Sequence, residues 1–183
     1  MTASASARLR DAPVWAMAPG LRRLAARHGS APRLARTWPC HQLDDISPAG
    51  YAEQLTACAG ALAGVEEVPA PLNAAGRAFA LDDMHAMGQP EAFVFAPVWL
   101  IVRADGSLHL TMRPEWAQKL AAKGWGTVHP FARYMAGAVP PQSLIIYAPR
   151  DDGELAVAER IIAAAHCYAS GRIGEVALPD SRW

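Results

Sequence analysis

The sequence has no long apolar run and few cysteines. A helix that spans a bilayer needs about 18 to 20 consecutive apolar residues, and charges, prolines and glycines interrupt every candidate stretch before that length. Pro13 and Pro19 also break the N-terminal stretch that a secretory signal would use. The three cysteines, Cys40, Cys58 and Cys167, have no C-x-x-C spacing, which argues against a disulfide framework or thiolate metal site. We therefore expect a cytoplasmic protein without a transmembrane segment.

Motifs for metals, nucleotides and nucleophilic hydrolysis are also missing. His85, His109, His129 and His166 form no pair at i, i+4 spacing, and acidic residues stand close only to His85. The sequence has no G-x-S-x-G elbow, no Walker loop and no dinucleotide fingerprint. It therefore predicts no metal and no cofactor, and it does not support hydrolase or nucleotide chemistry.

The formal net charge is zero, but the charges are unevenly distributed. Residues 1–43 hold seven arginines against one aspartate, and the remainder holds ten basic against sixteen acidic residues. A basic segment of this kind can dock on an acidic body, a membrane surface or a nucleic acid. Because aromatic and basic residues do not interleave and no DNA-binding motif is present, we predict no nucleic-acid partner. Residues 1–46 are predicted to form a basic N-terminal arm, and residues 47–183 a single domain.

Helical patterns occur once in the arm and three times in the domain. Residues 19–29 predict a short basic helix. Residues 47–64 predict a second helix, with Ser47 as its N-cap. Residues 114–123 predict a third, and residues 151–171 a fourth that begins with a capping box and ends at a glycine.

Extended patterns predict the strands. The segments "RAFAL", "EAFVFAPVWLIV" and "LIIYA" are rich in aromatic and β-branched residues, with Pro97 as a break. The dipeptide Asp105-Gly106 predicts a hairpin between "WLIVRA" and "SLHLTM". The second arm alternates, so His109 is expected on the face opposite the core. Residues 126–142 predict a loop. The fold class is α+β, a small antiparallel sheet with helices packed on one face and a helical or irregular N-terminal arm.

Five short segments occur in a characteristic order. They are "PEAFVF", "DGSLHL", "KGWGTVHP", "YAPRDDGEL" and "CYASG". Together they resemble the luciferase family of fungal, hispidin-type bioluminescence and its uncharacterised bacterial relatives. The spacing from His109 through Gly124-Trp125-Gly126 to His129 and Pro130 makes the resemblance specific.

The resemblance implies a cofactor-independent oxygenase that adds dioxygen to a hydroxylated pyrone. The peroxide formed then decays with release of carbon dioxide and light. It also implies one or two histidines in the segment that corresponds to residues 94–104, where this chain has none. Part of the histidine set that the resemblance implies is therefore absent from this sequence.

Four residues are candidates for catalysis on such a compound. Addition of dioxygen to an enol requires a base and a group that stabilises the anion. His129 is the candidate base because imidazole titrates near neutral pH. Arg150, just before a helix N-terminus, is the candidate anion holder, and His109 and Tyr147 are candidate hydrogen-bond donors. The alternatives are that Arg150 pairs with Asp151 or Asp152, that Tyr147 packs in the core and that His109 is exposed.

The sequence leaves two functions open. The first is an oxidoreductase that acts on a small planar enolic compound and, when catalytic, on dioxygen. The second is a non-catalytic module that binds a small molecule or a protein and has kept the fold without the full histidine site. Trp125 is predicted to pack under the loop that carries His129. The oligomeric state has no signature in the sequence.

Overall fold

The computed structural model describes residues 21, 23–133 and 139–172. An antiparallel β-sheet lies at the centre of this part of the chain. Six strands of these residues lie in the order β1-β2-β3-β4-β6-β5. Every neighbouring pair is antiparallel. The strands are β1 Val65–Val68, β2 Arg77–Leu81, β3 Val98–Val102, β4 Leu108–Thr111, β5 Gly126–Val128 and β6 Ser143–Ile146.

Three α-helices pack against one face of this sheet. They are α1 Tyr51–Gly60, α2 Pro114–Ala122 and α3 Asp152–Ala169. Short 3-10 segments lie at Pro71–Asn73, Pro90–Ala92 and Pro130–Arg133. The main core joins alternate strand residues, such as Leu110 and Leu144, to Leu55 of α1, Leu120 of α2 and Ile161 of α3. The predicted α+β class is confirmed.

The hairpin at Asp105-Gly106 sets the orientation of His109. Ile101 pairs with His109 across β3 and β4, and His109 pairs with Ile145 across β4 and β6. Directly paired residues project to the same face. That face is opposite the helices, as predicted, and a smaller apolar cluster that includes Ile101, Trp38 and Phe95 covers part of it. Strands β3, β4 and β6 are therefore buried on both faces, and His109 is buried rather than exposed.

Several predicted element boundaries were wrong. The first helix of the domain begins at Tyr51 because Gly50 has a φ of 90°, and the Ser47 hydroxyl donates to the Pro149 carbonyl (2.8 Å) instead of capping it. Residues 126–128, predicted as loop, form β5 because the exposed backbone edge of β6 pairs with them. Strand β1 had no prediction, since the sequence "VEEV" has little apolar character.

The predicted arm contacts the domain closely where it is described. Residues 19, 20 and 22 of the helix predicted over residues 19–29 lie outside the described residues, and the prediction is wrong for residues 24–29, which are not helical. There the Arg27 N–H donates to the Lys123 carbonyl (2.8 Å), and the Arg27 guanidinium lies 3.4 Å from the Glu154 carboxylate. The division at residues 46 and 47 stays a prediction. Among the described helices, none has the length and hydropathy to cross a membrane.

Gly126, the second glycine of the "GWG" segment, is needed for the pairing of β5 with β6. A Cβ atom there would lie 2.4 Å from the Ile145 carbonyl oxygen. We expect Gly126→Ala to lower the free energy of unfolding by roughly 1 to 3 kcal/mol, because backbone must shift to relieve the clash. Urea denaturation would measure the loss.

The matched control is Gly60→Ala at the end of α1, where an added Cβ meets nothing within 4 Å. It should leave stability unchanged or raise it by up to about 1 kcal/mol, since alanine is the better helix former. Equal stabilities of the two variants would contradict the steric explanation.

Candidate functional site

His109 and His129 lie side by side on the sheet face opposite the helices. His109 belongs to β4, and His129 follows β5, where its N–H donates to the Ser143 carbonyl of β6 (2.8 Å). The two imidazole rings lean towards each other across β6, with centroids 4.4 Å apart and planes tilted by 30°. Both side chains have no exposed surface. The structure thus brings together the two histidines that the sequence singled out.

Three aromatic side chains surround this histidine pair. The ring centroid of Trp38 lies 6.2 Å from His109 and 5.5 Å from His129. Phe95 lies 6.5 Å from His109, and Phe131 lies 6.1 Å from His129. Trp38, Phe95 and Phe131 are called the aromatic set below. Such a set suits a planar ligand, because flat rings bury large areas against aromatic faces and edges.

The hydrogen bond to His129 determines which of its nitrogens carries the proton. The Phe131 backbone N–H donates to Nδ1 of His129 (3.2 Å), so Nδ1 is an acceptor and the proton of the neutral ring is on Nε2. Burial, reinforced by the Arg103 charge, lowers the pKa of His129 to about 4, while the nearby Pro39 carbonyl opposes the shift. At neutral pH His129 therefore presents an Nε2–H donor, which completes no regular hydrogen bond with the described residues.

His109 is neutral for the same reasons and has more free bonding capacity. Burial lowers its pKa well below the usual histidine range, and the charge that His129 would carry when protonated and the charge of Arg103 act in the same direction. Neither of its ring nitrogens has a hydrogen-bond partner among the described residues. One nitrogen of a neutral imidazole is always an acceptor, so His109 offers an unoccupied lone pair inside the site.

Arg103 is a buried cation next to the histidine pair. It follows β3, two residues beyond Ile101, the partner of His109, and its positive charge lowers the pKa of both histidines. Arg103 is 2% exposed. One of its nitrogens, Nη1, donates to the Cys40 carbonyl (3.3 Å), whereas Nε and Nη2 have no partner within the described part of the chain.

Arg150 and Tyr147 are not part of this arrangement. Arg150 pairs with Glu154, binds the His28 carbonyl and lies 3.5 Å from a carboxylate oxygen of Asp45. The partner of Arg150 in α3 is thus Glu154 and not Asp151 or Asp152, the two partners that the sequence left open. The Tyr147 ring lies under the Arg27 guanidinium (5.5 Å). Both residues take part in contacts that join residues 24–28 to the domain.

A different tryptophan from the predicted one contacts His129. Trp125 packs in the main core on the helix side, where its Nε1–H donates to the Ala25 carbonyl (2.8 Å). Trp38, from the predicted arm, lies against both histidines instead. The Gly-Trp-Gly segment could not reveal this contact, because Trp38 and His129 are 91 positions apart in the sequence.

Arg103 was also missed, although the sequence contained a signal for it. Strict alternation through the Asp105-Gly106 hairpin places Arg103 on the same face as His109. This arginine closes a strand that is otherwise wholly apolar and buried. It also belongs to the segment of residues 94–104, where the resemblance implies histidines.

An open cleft shares one wall residue with the aromatic set around the histidine pair. Its volume is about 590 Å³, and its walls include Glu91, Phe95, Pro140 and Pro141. This volume falls within the range of small-molecule sites. Because Phe95 lines the cleft and also contacts His109, the cleft and the histidine pair share one side chain.

Comparison with known proteins matches this part of the chain to one family. Residues 99–165 match the family model described as Luciferase domain. Residues 99–165, called the luciferase-like segment below, are therefore similar to a luciferase domain. The chain is 42% identical over 64 residues to the luciferase of Armillaria ostoyae, and 34% identical over 64 residues to that of Neonothopanus nambi. No solved structure matches the chain.

The match covers only part of each protein. It extends over 35% of this chain and 24% of the length of these fungal luciferases. His109, His129 and Arg103 all lie within the luciferase-like segment, whereas Trp38 and Phe95 lie outside it. In the described residues, no group of three or more histidine, cysteine, aspartate or glutamate side chains is arranged to hold a metal ion.

Proposed function

We propose that this protein is an oxygenase that adds dioxygen to a small planar enolic compound, such as a hydroxypyrone, without a metal or an organic cofactor. The observation that carries the proposal is the buried histidine pair, enclosed by the aromatic set, in which both nitrogens of His109 and Nε2 of His129 have no hydrogen-bond partner among the described residues. Buried polar atoms normally have hydrogen-bond partners. A ligand that donates to one histidine and accepts from the other would supply them.

The first chemical step in this proposal is loss of the enol proton. The unoccupied nitrogen of His109 accepts the proton of the enol O–H, and the electron pair of that bond stays on the ligand as an enolate. Burial disfavours an isolated positive charge on His109, but the enolate that forms beside it is a negatively charged partner that favours the protonated ring. His129 Nε2–H donates to a ligand oxygen and stabilises the developing negative charge.

The aromatic set would hold the ring of the ligand. Trp38 lies against both histidines and is only half-buried, and its Nε1–H donates to the Leu72 carbonyl (3.0 Å). A flat ligand bound at the histidines would contact Trp38 and the two phenylalanines. Dioxygen then adds to the electron-rich carbon of the enolate, and the peroxide so formed contains both oxygen atoms and both electrons of the enolate pair.

The name of the matching fungal proteins indicates the most specific measurement for this reaction, which is light emission. The fungal proteins that match this chain over 64 residues are named luciferases, so light is one expected product of the reaction. Oxygen uptake is the more general readout, because a dark oxygenase would also consume dioxygen.

The test is stopped-flow oxygen consumption with light detection, on a panel of hydroxypyrones and catechol-like enols. We expect the wild type to consume oxygen with at least one member, and His129→Ala to lose most of that activity, because it removes the Nε2–H donor. The absence of oxygen uptake and light from the wild type, combined with quenching of tryptophan emission by the same compounds, would contradict the oxygenase and indicate a binding module.

A further inference from the structure

Only two arginines are nearly completely buried in the described part of the chain, and their surroundings differ. Arg27 and Arg103 are 7% and 2% exposed. The Arg27 guanidinium lies 3.4 Å from a carboxylate oxygen of Glu154 and donates to the Ala148 carbonyl (3.3 Å). Arg103 forms no ion pair with any described carboxylate and donates only to the Cys40 carbonyl. A buried cation without a negatively charged partner is costly.

The nearest acid does not provide that partner. The negative charge of Asp105 favours the protonated form of Arg103 without a direct ion pair. Both carboxylate oxygens of Asp105 already accept hydrogen bonds from other groups. The Ser107 N–H and hydroxyl donate to Oδ1 (2.8 and 2.6 Å), and the Gln42 N–H donates to Oδ2 (2.6 Å). Asp105 is thus fixed in the hairpin turn, while Nε and Nη2 of Arg103 have no partner within the described residues.

The free donors of Arg103 are on the same face as the free nitrogens of the histidine pair. Arg103, His109 and His129 influence one another electrostatically, and the unpartnered Ser143 hydroxyl lies next to His129 on that face. Two neutral imidazoles and one cation give the site a net positive charge. Two N–H donors of one guanidinium group can bind two ligand oxygens, or one ionised oxygen and the oxygen next to it.

We propose that Arg103 binds the ionised oxygen of an acidic enolic ligand, so that the site selects compounds that can bind as anions. The ligand class rests on the proposed function, but anion selection does not require turnover. The bound ligand carries the same negative charge whether it loses its enol proton to solvent before binding or to His109 after binding. Arg103 then has the role for which the sequence had suggested Arg150, whose guanidinium is committed to Glu154.

The test compares two probes that differ in one methyl group. 4-Hydroxy-6-methyl-2-pyrone ionises readily because it is a vinylogous acid, whereas its 4-methoxy ether cannot ionise. Titration calorimetry and tryptophan quenching in the absence of oxygen would measure both affinities on the full chain. We expect the wild type to bind the hydroxypyrone roughly tenfold or more tightly than the ether, since a charge-assisted hydrogen bond contributes about 1.5 to 3 kcal/mol.

Arg103→Met is the critical variant, and we expect it to bind the two probes with affinities within about threefold of each other. Its melting temperature should not fall, because it replaces an unpaired buried charge by an apolar chain of similar length. Arg77→Met, at an exposed ion pair with Glu67, is the matched control and should keep the wild-type preference.

Arg103→Lys tests whether a lost preference in Arg103→Met results from a folding defect. It keeps the charge but not the fork and should retain a reduced preference for the hydroxypyrone. Equal binding of both probes by the wild type, an unchanged preference in Arg103→Met or no preference in a folded Arg103→Lys would each overturn the proposal. Anion-selective binding without oxygen uptake would instead reject the oxygenase and leave the role of Arg103 intact.

Discussion

Replacing His109 by glutamine should reduce the rate of oxygen consumption by about 10²- to 10⁴-fold, the usual contribution of a general base. Glutamine has a similar size and polarity but cannot accept the enol proton. Both nitrogens of His109 are without partners in the described residues, so the substitution breaks no hydrogen bond recorded in the structure. Initial rates at saturating substrate would measure the effect on kcat.

Two further variants distinguish loss of the catalytic base from other changes in the site. His129→Gln keeps an N–H donor and should lose only about tenfold in rate, which corresponds to weakening of one hydrogen bond. His41→Gln, at an exposed histidine, should react as the wild type does. If His129→Gln lost far more activity than His109→Gln, the assignment of His109 as the base would be wrong.

Stability should fall steeply as the pH is lowered from about 6.5 to 4. The folded-state pKa of His129 is about 4, and that of His109 is also lowered, whereas an unfolded histidine titrates near 6.5. Between these values the unfolded chain binds more protons than the native protein, so the free energy of unfolding decreases with decreasing pH and is at its full value above 6.5. His129 alone should account for about 2 to 3 kcal/mol.

The carboxylates should affect this dependence only at lower pH. Glu154 also has a lowered pKa, because Arg150 and Arg27 stabilise its charged form against the opposing effect of burial. Its stabilising effect is present above the unfolded value of about 4.5 and is lost below it. The interval from about 6.5 to 4.5 therefore reports on buried histidines, to which His166 also contributes, since burial lowers its pKa.

Urea denaturation at several pH values would test this prediction. The double variant His109→Gln, His129→Gln should flatten the dependence above pH 4.5, with the remaining slope due to His166. His41→Gln is again the control and should keep the wild-type curve. A double variant that loses stability with falling pH as the wild type does would show that the histidine pair is not the cause.

Local sequence patterns correctly predicted the position of His109 and the start of α3. The alternation of "SLHLTM" and the Asp105-Gly106 turn correctly placed His109 opposite the helix core, because both depend on neighbours within one hairpin. The capping pattern at Asp151 and Glu154 correctly placed the start of α3, where the Asp151 side chain accepts from the Glu154 N–H (2.8 Å). Each of these predictions uses interactions within a few residues.

The predictions about surroundings were less successful because they depend on distant segments. His109 is buried because Trp38 and Phe95 cover the second face of the sheet, and no local pattern indicates that a sheet is covered on both sides. Arg150 was a reasonable anion holder by position, but the buried Glu154 carboxylate captures it. The pairing that forms β5 depends on β6, which follows it by 15 positions.

The sequence alone therefore determined the fold class, the hairpin, the ends of α2 and α3, the resemblance to luciferases and the two histidines. Only the tertiary structure determined that Trp38 packs on these histidines, that three of their four ring nitrogens are without partners in the described residues and that Arg103 rather than Arg150 lies on their face of the sheet. The reason is that turns, caps and alternation are set by covalent geometry and short-range hydrogen bonds. Burial and charge pairing instead depend on which distant segments fold onto the same face of the sheet.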